Sequence, residues 1–142
     1  MENVMSDDGF SELAAKSEKV RNEHRLLLEG LRSFEQKLRE LVGGLNCRGE
    51  SGFVTFDEYF DHEGEVIGHI HGVLSFDGKK LWVGYKEEPH PDYEESYWEY
   101  KPIETIRPDW QRLLSCQKVL NSLVANLLAN LDAEYEKTAP VV

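Results

Sequence analysis

From Phe10 to Leu41 the chain repeats one spacing without a slip. Phe10, Leu13, Ser17, Val20, His24, Leu27, Leu31, Phe34, Leu38 and Leu41 follow one another at alternating steps of three and four residues. That is the heptad period of a coiled-coil seam, and it predicts one helix over residues 6–43. Charges of both signs fill the intervening positions, as on an exposed helix face. Ser6, Asp7 and Asp8 suit the start of such a helix, and Gly43-Gly44 its stop.

Length then constrains what this helix can do. At 1.5 Å per residue a helix of about 36 residues spans about 54 Å, whereas a strand of about eight residues spans about 27 Å. About half of the seam therefore overhangs any sheet the chain can build, and it needs cover from elsewhere. A second copy is the economical cover, so a homodimer is expected. Val20, His24, Leu27 and Leu31 on the first helix, with Gln117, Leu120, Val124 and Leu127 near the C-terminus, are the candidate oligomerisation residues.

After residue 43 the period changes. "GGLNCRGESG" (43–52) reads as a linker. "FVTFDEYF", "EVIGHIHGVLSF", "KLWVGYK" and "SYWEYK" then read as four strands, rich in aromatic and β-branched residues. "DHEG" (61–64) suits a type I turn with a glycine bulge, and Asp77-Gly78 a two-residue hairpin turn. The segment 52–101 is thus an antiparallel meander. A last helix is expected over 108–136, with Pro108 in its first turn. Leu113, Cys116, Leu120, Leu123, Val124, Leu127, Leu128 and Leu131 give it a broad apolar face, and Ser115, Lys118, Ser122 and Asn126 a polar one.

The expected fold is α+β in a single domain, 1–142: a long N-terminal helix, a four-stranded antiparallel meander and a long C-terminal helix, with the helices packed on one sheet face. In element order alone this resembles two arrangements. One is the coiled coil plus RWD-type domain of kinetochore adaptors, the other the small acidic dimeric type III secretion chaperones. No motif carries either resemblance, and no residue is transferred from them.

Charge narrows the function. The formal net charge is −11, and residues 49–101 hold thirteen acids against four lysines. A nucleic-acid binder needs the opposite sign, because phosphate contacts supply much of such affinity. An acidic surface repels nucleic acid and anionic membrane and steers toward basic proteins. Cys47 and Cys116 form no metal or redox spacing, which fits reduced thiols in the cytoplasm. The N-terminus shows no signal-peptide pattern, and the apolar stretch Leu113–Leu131 is too interrupted for a membrane span.

The chemistry-bearing residues are few. His69 and His71 lie two apart on one strand and so point the same way. With Gly64 as a bulge, Phe56 is expected opposite Ile70 and Asp57 opposite His69, which places Asp57 beside the histidines as a third metal ligand. His-x-His is similar to the spacing of cupin metal sites, although no glutamate follows where those sites need one. The competing reading is a polar cross-strand pair. The same register gathers Phe53, Tyr59, Ile67, Val73 and Trp82 into an apolar patch on the face away from the helices, of the kind that marks interfaces. Glu87, Glu88, Asp92, Glu94 and Glu95 form an acidic loop that suits a basic partner.

No nucleophile elbow, phosphate-binding loop, dinucleotide fingerprint or zinc-protease motif is present, so no cofactor is expected. The sequence therefore reads as a cytoplasmic, non-enzymatic, acidic protein-binding module. It would self-associate through its helices and present an acidic, aromatic surface, as an adaptor, chaperone, immunity protein or inhibitor does; one variant is a nucleic-acid mimic. The alternative is a small metal-dependent enzyme centred on His69, His71 and Asp57.

Overall fold

The computed structural model describes residues 7–89 and 97–138. Helix α1 runs Asp7–Val42 and ends at a left-handed Gly44, with Asn46 also left-handed two residues on. Strands follow at β1 (Gly49–Glu50), β2 (Val54–Phe60), β3 (Val66–Phe76), β4 (Leu81–Pro89) and β5 (Glu99–Pro102). A 3-10 turn, Ile103–Thr105, leads into α2 (Pro108–Leu114) and α3 (Gln117–Thr138). The fold is α+β, and among the described residues every strand pairing is antiparallel. Both β1 and β2 flank one edge of the long β3, and β4 and β5 continue the sheet on the other side.

One sheet face carries Phe56, Leu74, Phe76, Leu81 and Val83 into the core. Against it pack Leu31 and Leu38 of α1, Leu114 of α2, and Val119, Leu123 and Leu127 of α3. Phe56 lies across Gly72 so closely that a side chain there would meet its ring, and it stacks on Trp110 with centroids 4.5 Å apart.

The C-terminal helix expected over 108–136 is broken at Ser115–Cys116. A helix turns about 100° per residue, so Leu114 and Leu123 would point in opposite directions along an unbroken one. Both are fully buried against the same sheet, which requires the change of axis. Ser115 supports the break: its amide still donates to the Gln111 carbonyl, while its hydroxyl donates to the Arg112 carbonyl at 2.9 Å.

The segment 43–52, expected to be a linker, is instead built into the molecule. Cys47, Gly49 and Ser51 are buried, and Gly49–Glu50 forms β1 beside Phe76 and Ser75. Ser122, Asn126 and Asn130, one turn apart on α3, hold it. The Glu50 amide donates to Asn126 Oδ1 at 2.8 Å, the Gly52 amide to Ser122 Oγ at 3.0 Å, and Asn130 Nδ2 to the Arg48 carbonyl. The polar side of α3 is therefore a rail for backbone groups that would otherwise lack partners.

The β3–β4 connection also differs from expectation. Phe76 pairs with Leu81, so the loop has four residues, Asp77–Lys80, not two. Asp77 Oδ1 accepts from the amides of Lys79 and Lys80, and Oδ2 from the Trp82 indole at 2.9 Å. Two added residues preserve the alternation, so Leu81, Val83 and Tyr85 still face the helices.

Candidate protein-interaction surfaces

The outer face of the sheet depends on the β2–β3 register. Val54 pairs with Gly72 and Thr55 with His71 at one end, and Phe60 with Val66 at the other, as the turn predicts. Between them the register shifts by one: Asp57 lies opposite Ile70, Glu58 opposite His69 and Tyr59 opposite Gly68. Two compensating irregularities, between Thr55 and Asp57 and between Tyr59 and Phe60, cause this. A bulge leaves two residues of one strand opposite a single partner, so Asp57 joins Ile70 on the helix face.

The expected His69–His71–Asp57 constellation is thereby divided across the sheet. Asp57 Oδ2 accepts from the Trp110 indole and from Arg107, both at 3.2 Å, and Arg107 also binds Asp109 at 2.6 Å. Arg107 lies over the Trp110 ring, 5.0 Å from its centroid. The pairing holds Asp109 below the usual carboxylate range, with the Arg107 hydrogen bond and charge outweighing the opposing effect of burial. This cluster fastens the start of α2 to β2.

On the outer face, His69 lies between Glu58 on β2 and Glu88 on β4. His71 Nε2 is 3.1 Å from Glu88 Oε2. A carboxylate only accepts, so Nε2 carries the proton and Nδ1 faces the Thr55 hydroxyl at 3.5 Å. The edge of Phe53 meets the His71 ring at 5.0 Å. Among the described residues no group of three or more His, Cys, Asp or Glu is placed to hold a metal ion.

The expected apolar patch is dispersed. Phe53 and Ile67 are exposed, but Val73 is only 5% exposed. Tyr100 reaches across Gly84 toward Val73, and its hydroxyl donates to Glu50 Oε2 at 2.8 Å on the far side of the sheet. Burial and then the bond to Glu50 push the Tyr100 phenol up to about 12. Trp82 is half-buried and tied to Asp77. Tyr59 turns to the helix face, where burial first, then the charges of Glu87 and Asp57, raise its phenol.

Glu87 and Glu88 belong to β4 and alternate faces, Glu88 bonding His71 and Lys86 on the outer one. Asp92, Glu94 and Glu95 lie outside the described residues. Among the described residues the outer surface around the two histidines carries Glu58 and Glu88, the latter paired with Lys86, with Phe53 and Ile67 at its margins. In the unshifted register Glu58 would lie on the opposite face, with Phe56 and Phe60, and nothing local in the sequence marks the shift.

The helix positions expected to mediate self-association separate into two groups. Leu31 and Leu127 are core residues and unavailable to a second copy. Leu120 is half-buried against the same core. Gln117 bonds Asn121 one turn on, at 2.6 Å, on the exposed side of α3, and Val124 is exposed there too. Val20 is exposed and His24 and Leu27 are half-buried, and with Pro108, Arg112 and Leu113 of α2 they line a groove of about 600 Å³. Phe10 and Leu13, ahead of it, are 54% and 58% exposed.

The seam and the buried stripe also diverge toward the C-terminal end of α1. Leu41 is 65% exposed, and Val42 packs on the core in its place. Val42 lies five full helical turns after His24, whereas a strict heptad drifts by about 20° per repeat in a straight helix.

Against this geometry, no protein-family model, no curated protein and no solved structure matches the chain. No helix among the described residues is long and apolar enough to cross a membrane.

Proposed function

We propose that this chain is a non-enzymatic protein-binding module that self-associates through α1. It presents an acidic outer sheet surface to a basic protein partner, working in the cytoplasm as an adaptor, chaperone, immunity protein or inhibitor does. The observation that carries this reading is the uncovered apolar stripe of α1: Phe10, Leu13 and Val20 are each more than half exposed on the helix whose Leu31 and Leu38 are buried. Large exposed apolar residues along one helix stripe favour association over solvation. The concentration of acids in residues 49–101, with Glu58 and Glu88 on the open face, supports a basic partner and is compatible with nucleic-acid mimicry. Both cysteines being free fits a reducing compartment.

The test is the mass of the full-length chain in solution. Light scattering at micromolar concentration should give a dimer, and a monomer there would remove the self-association half of the proposal. For the partner half, capture of a basic protein should weaken when Glu58 and Glu88 are changed to Gln. Capture that is indifferent to both changes assigns binding to another surface.

A further inference from the structure

We infer that the second copy docks antiparallel along residues 10–27 of α1, with the N-terminal end of each α1 seated in the α1–α2 groove of the other. This rests on the self-association proposed above and specifies its geometry. One chain offers both the groove and its occupant. Val20, His24 and Leu27 form one wall and Pro108 and Leu113 the other. Phe10 and Leu13, both more than half exposed, lie on the same stripe of the same helix. An arrangement in which each copy offers one groove and one projecting end is isologous and closes at two chains.

The heptad positions fit the antiparallel direction. Phe10 meets Leu27 of the second copy, Leu13 meets His24, and Ser17 meets Val20, so each of the six seam residues has a counterpart. The paired length is about 27 Å for these 18 residues. Every polar seam residue then faces an aliphatic one. In a parallel pair Ser17 and His24 would each face its own copy, which makes two polar layers.

Charge selects the same direction. Flanking the antiparallel seam, Lys16 faces Glu23 of the second copy, twice by symmetry. In the parallel pair Lys16 would face Arg21 of the second copy, also twice, with like charges opposed. Neither residue is committed elsewhere by a strong contact. Lys16 pairs with Glu12 at 3.4 Å and Glu23 with Arg112 at 3.6 Å, both on exposed helix surface, where such pairs contribute little. The antiparallel direction also sets the two acidic sheets at opposite ends of the paired helices, which lowers their mutual repulsion.

The experiment reads direction. Lys16→Glu changes one exposed helix residue and leaves folding intact. It turns two attractive contacts into repulsive ones in the antiparallel dimer and should weaken Kd by about fourfold to thirtyfold at low salt. In a parallel dimer it would tighten association, so an unchanged or tighter dimer overturns the inference.

Cross-linking gives an independent reading in a Cys116→Ser background, Cys47 being buried. Co-expressed Leu13→Cys and His24→Cys chains should form a disulfide-linked dimer on mild oxidation, and neither variant should do so alone. Cross-linking of Leu13→Cys alone would establish the parallel pair. A dimer that none of these variants cross-links refutes the docking geometry while self-association stands, whereas a monomeric unmodified chain removes both.

Discussion

Asp77 shows how one side chain can set a turn and a pH response together. Burial opposes its ionisation, but the amides of Lys80 and Lys79 and the Trp82 indole outweigh that and hold it below the ordinary carboxylate range. The unfolded chain therefore takes up this proton first as pH falls. The stabilisation is complete above about pH 4, the ordinary aspartate range, and is lost as pH drops through the lower folded value. Asp77→Asn should lower stability at pH 7 and flatten its fall in acid, as followed by urea denaturation between neutral and acidic pH. Tyr100 has the opposite sign. Its raised value of about 12 means that its contribution is complete below about pH 10, the ordinary tyrosine value, and vanishes as pH climbs toward 12. Ultraviolet titration should lose one late-ionising tyrosine in Tyr100→Phe, while Tyr59 and Tyr85, whose phenols are also raised, still ionise late. At Gly72 the constraint is steric. A Cβ there would displace Phe56 from its stack on Trp110, so Gly72→Ala should cost about 1–3 kcal/mol, read as a lower urea midpoint.

Among the elements, α1 and α3 divide the work. The second half of α1 is core and the first half is an exposed rod, kept helical by its length and by pairs such as Glu12–Lys16 and Arg25–Glu29. α3 uses two faces at once, the apolar one on the sheet and the Ser122–Asn126–Asn130 rail on the 48–52 backbone. Removing the middle member of the rail should free β1 without unfolding the sheet. Asn126→Ala is expected to cost about 0.5–1.5 kcal/mol for the lost bond. Hydrogen exchange of the Glu50 amide should accelerate in that variant while the amides of β3 and β4 stay protected. Equal acceleration throughout the sheet would mean that the rail supports the whole fold.

For the whole molecule, the decisive quantity is the uneven charge. A net charge of −11 concentrated in the sheet segment repels itself in the folded state. Raising ionic strength from about 0.01 M to about 0.15 M shortens the screening length from about 30 Å to about 8 Å. The melting temperature should therefore rise, by about 2–4 °C if about 1 kcal/mol of repulsion is relieved. A melting temperature that falls with salt would show that attractive pairs such as Arg107–Asp109 outweigh the repulsion.

The sequence by itself determined the element types, the long heptad helix, the four main strands, the face of the sheet that becomes core and the placement of the acids. Each of these is a one-dimensional pattern, of period or of composition, and survives any arrangement that buries the apolar residues. Only the tertiary structure decided the rest. Asp57, Glu58 and Tyr59 change faces because two compensating bulges shift three residues while leaving the register correct at both ends. The last helix breaks because Leu114 and Leu123 must reach one sheet from opposite sides of a single helical axis. Leu31 and Leu127 are core, not interface, because the sheet reaches them first. The asparagine rail is legible as a spacing of four, but not as a function, since its partners lie some eighty residues away in the chain. Bulges, breaks and rails are settled by which distant group a side chain meets, and that information is absent from any local stretch of residues.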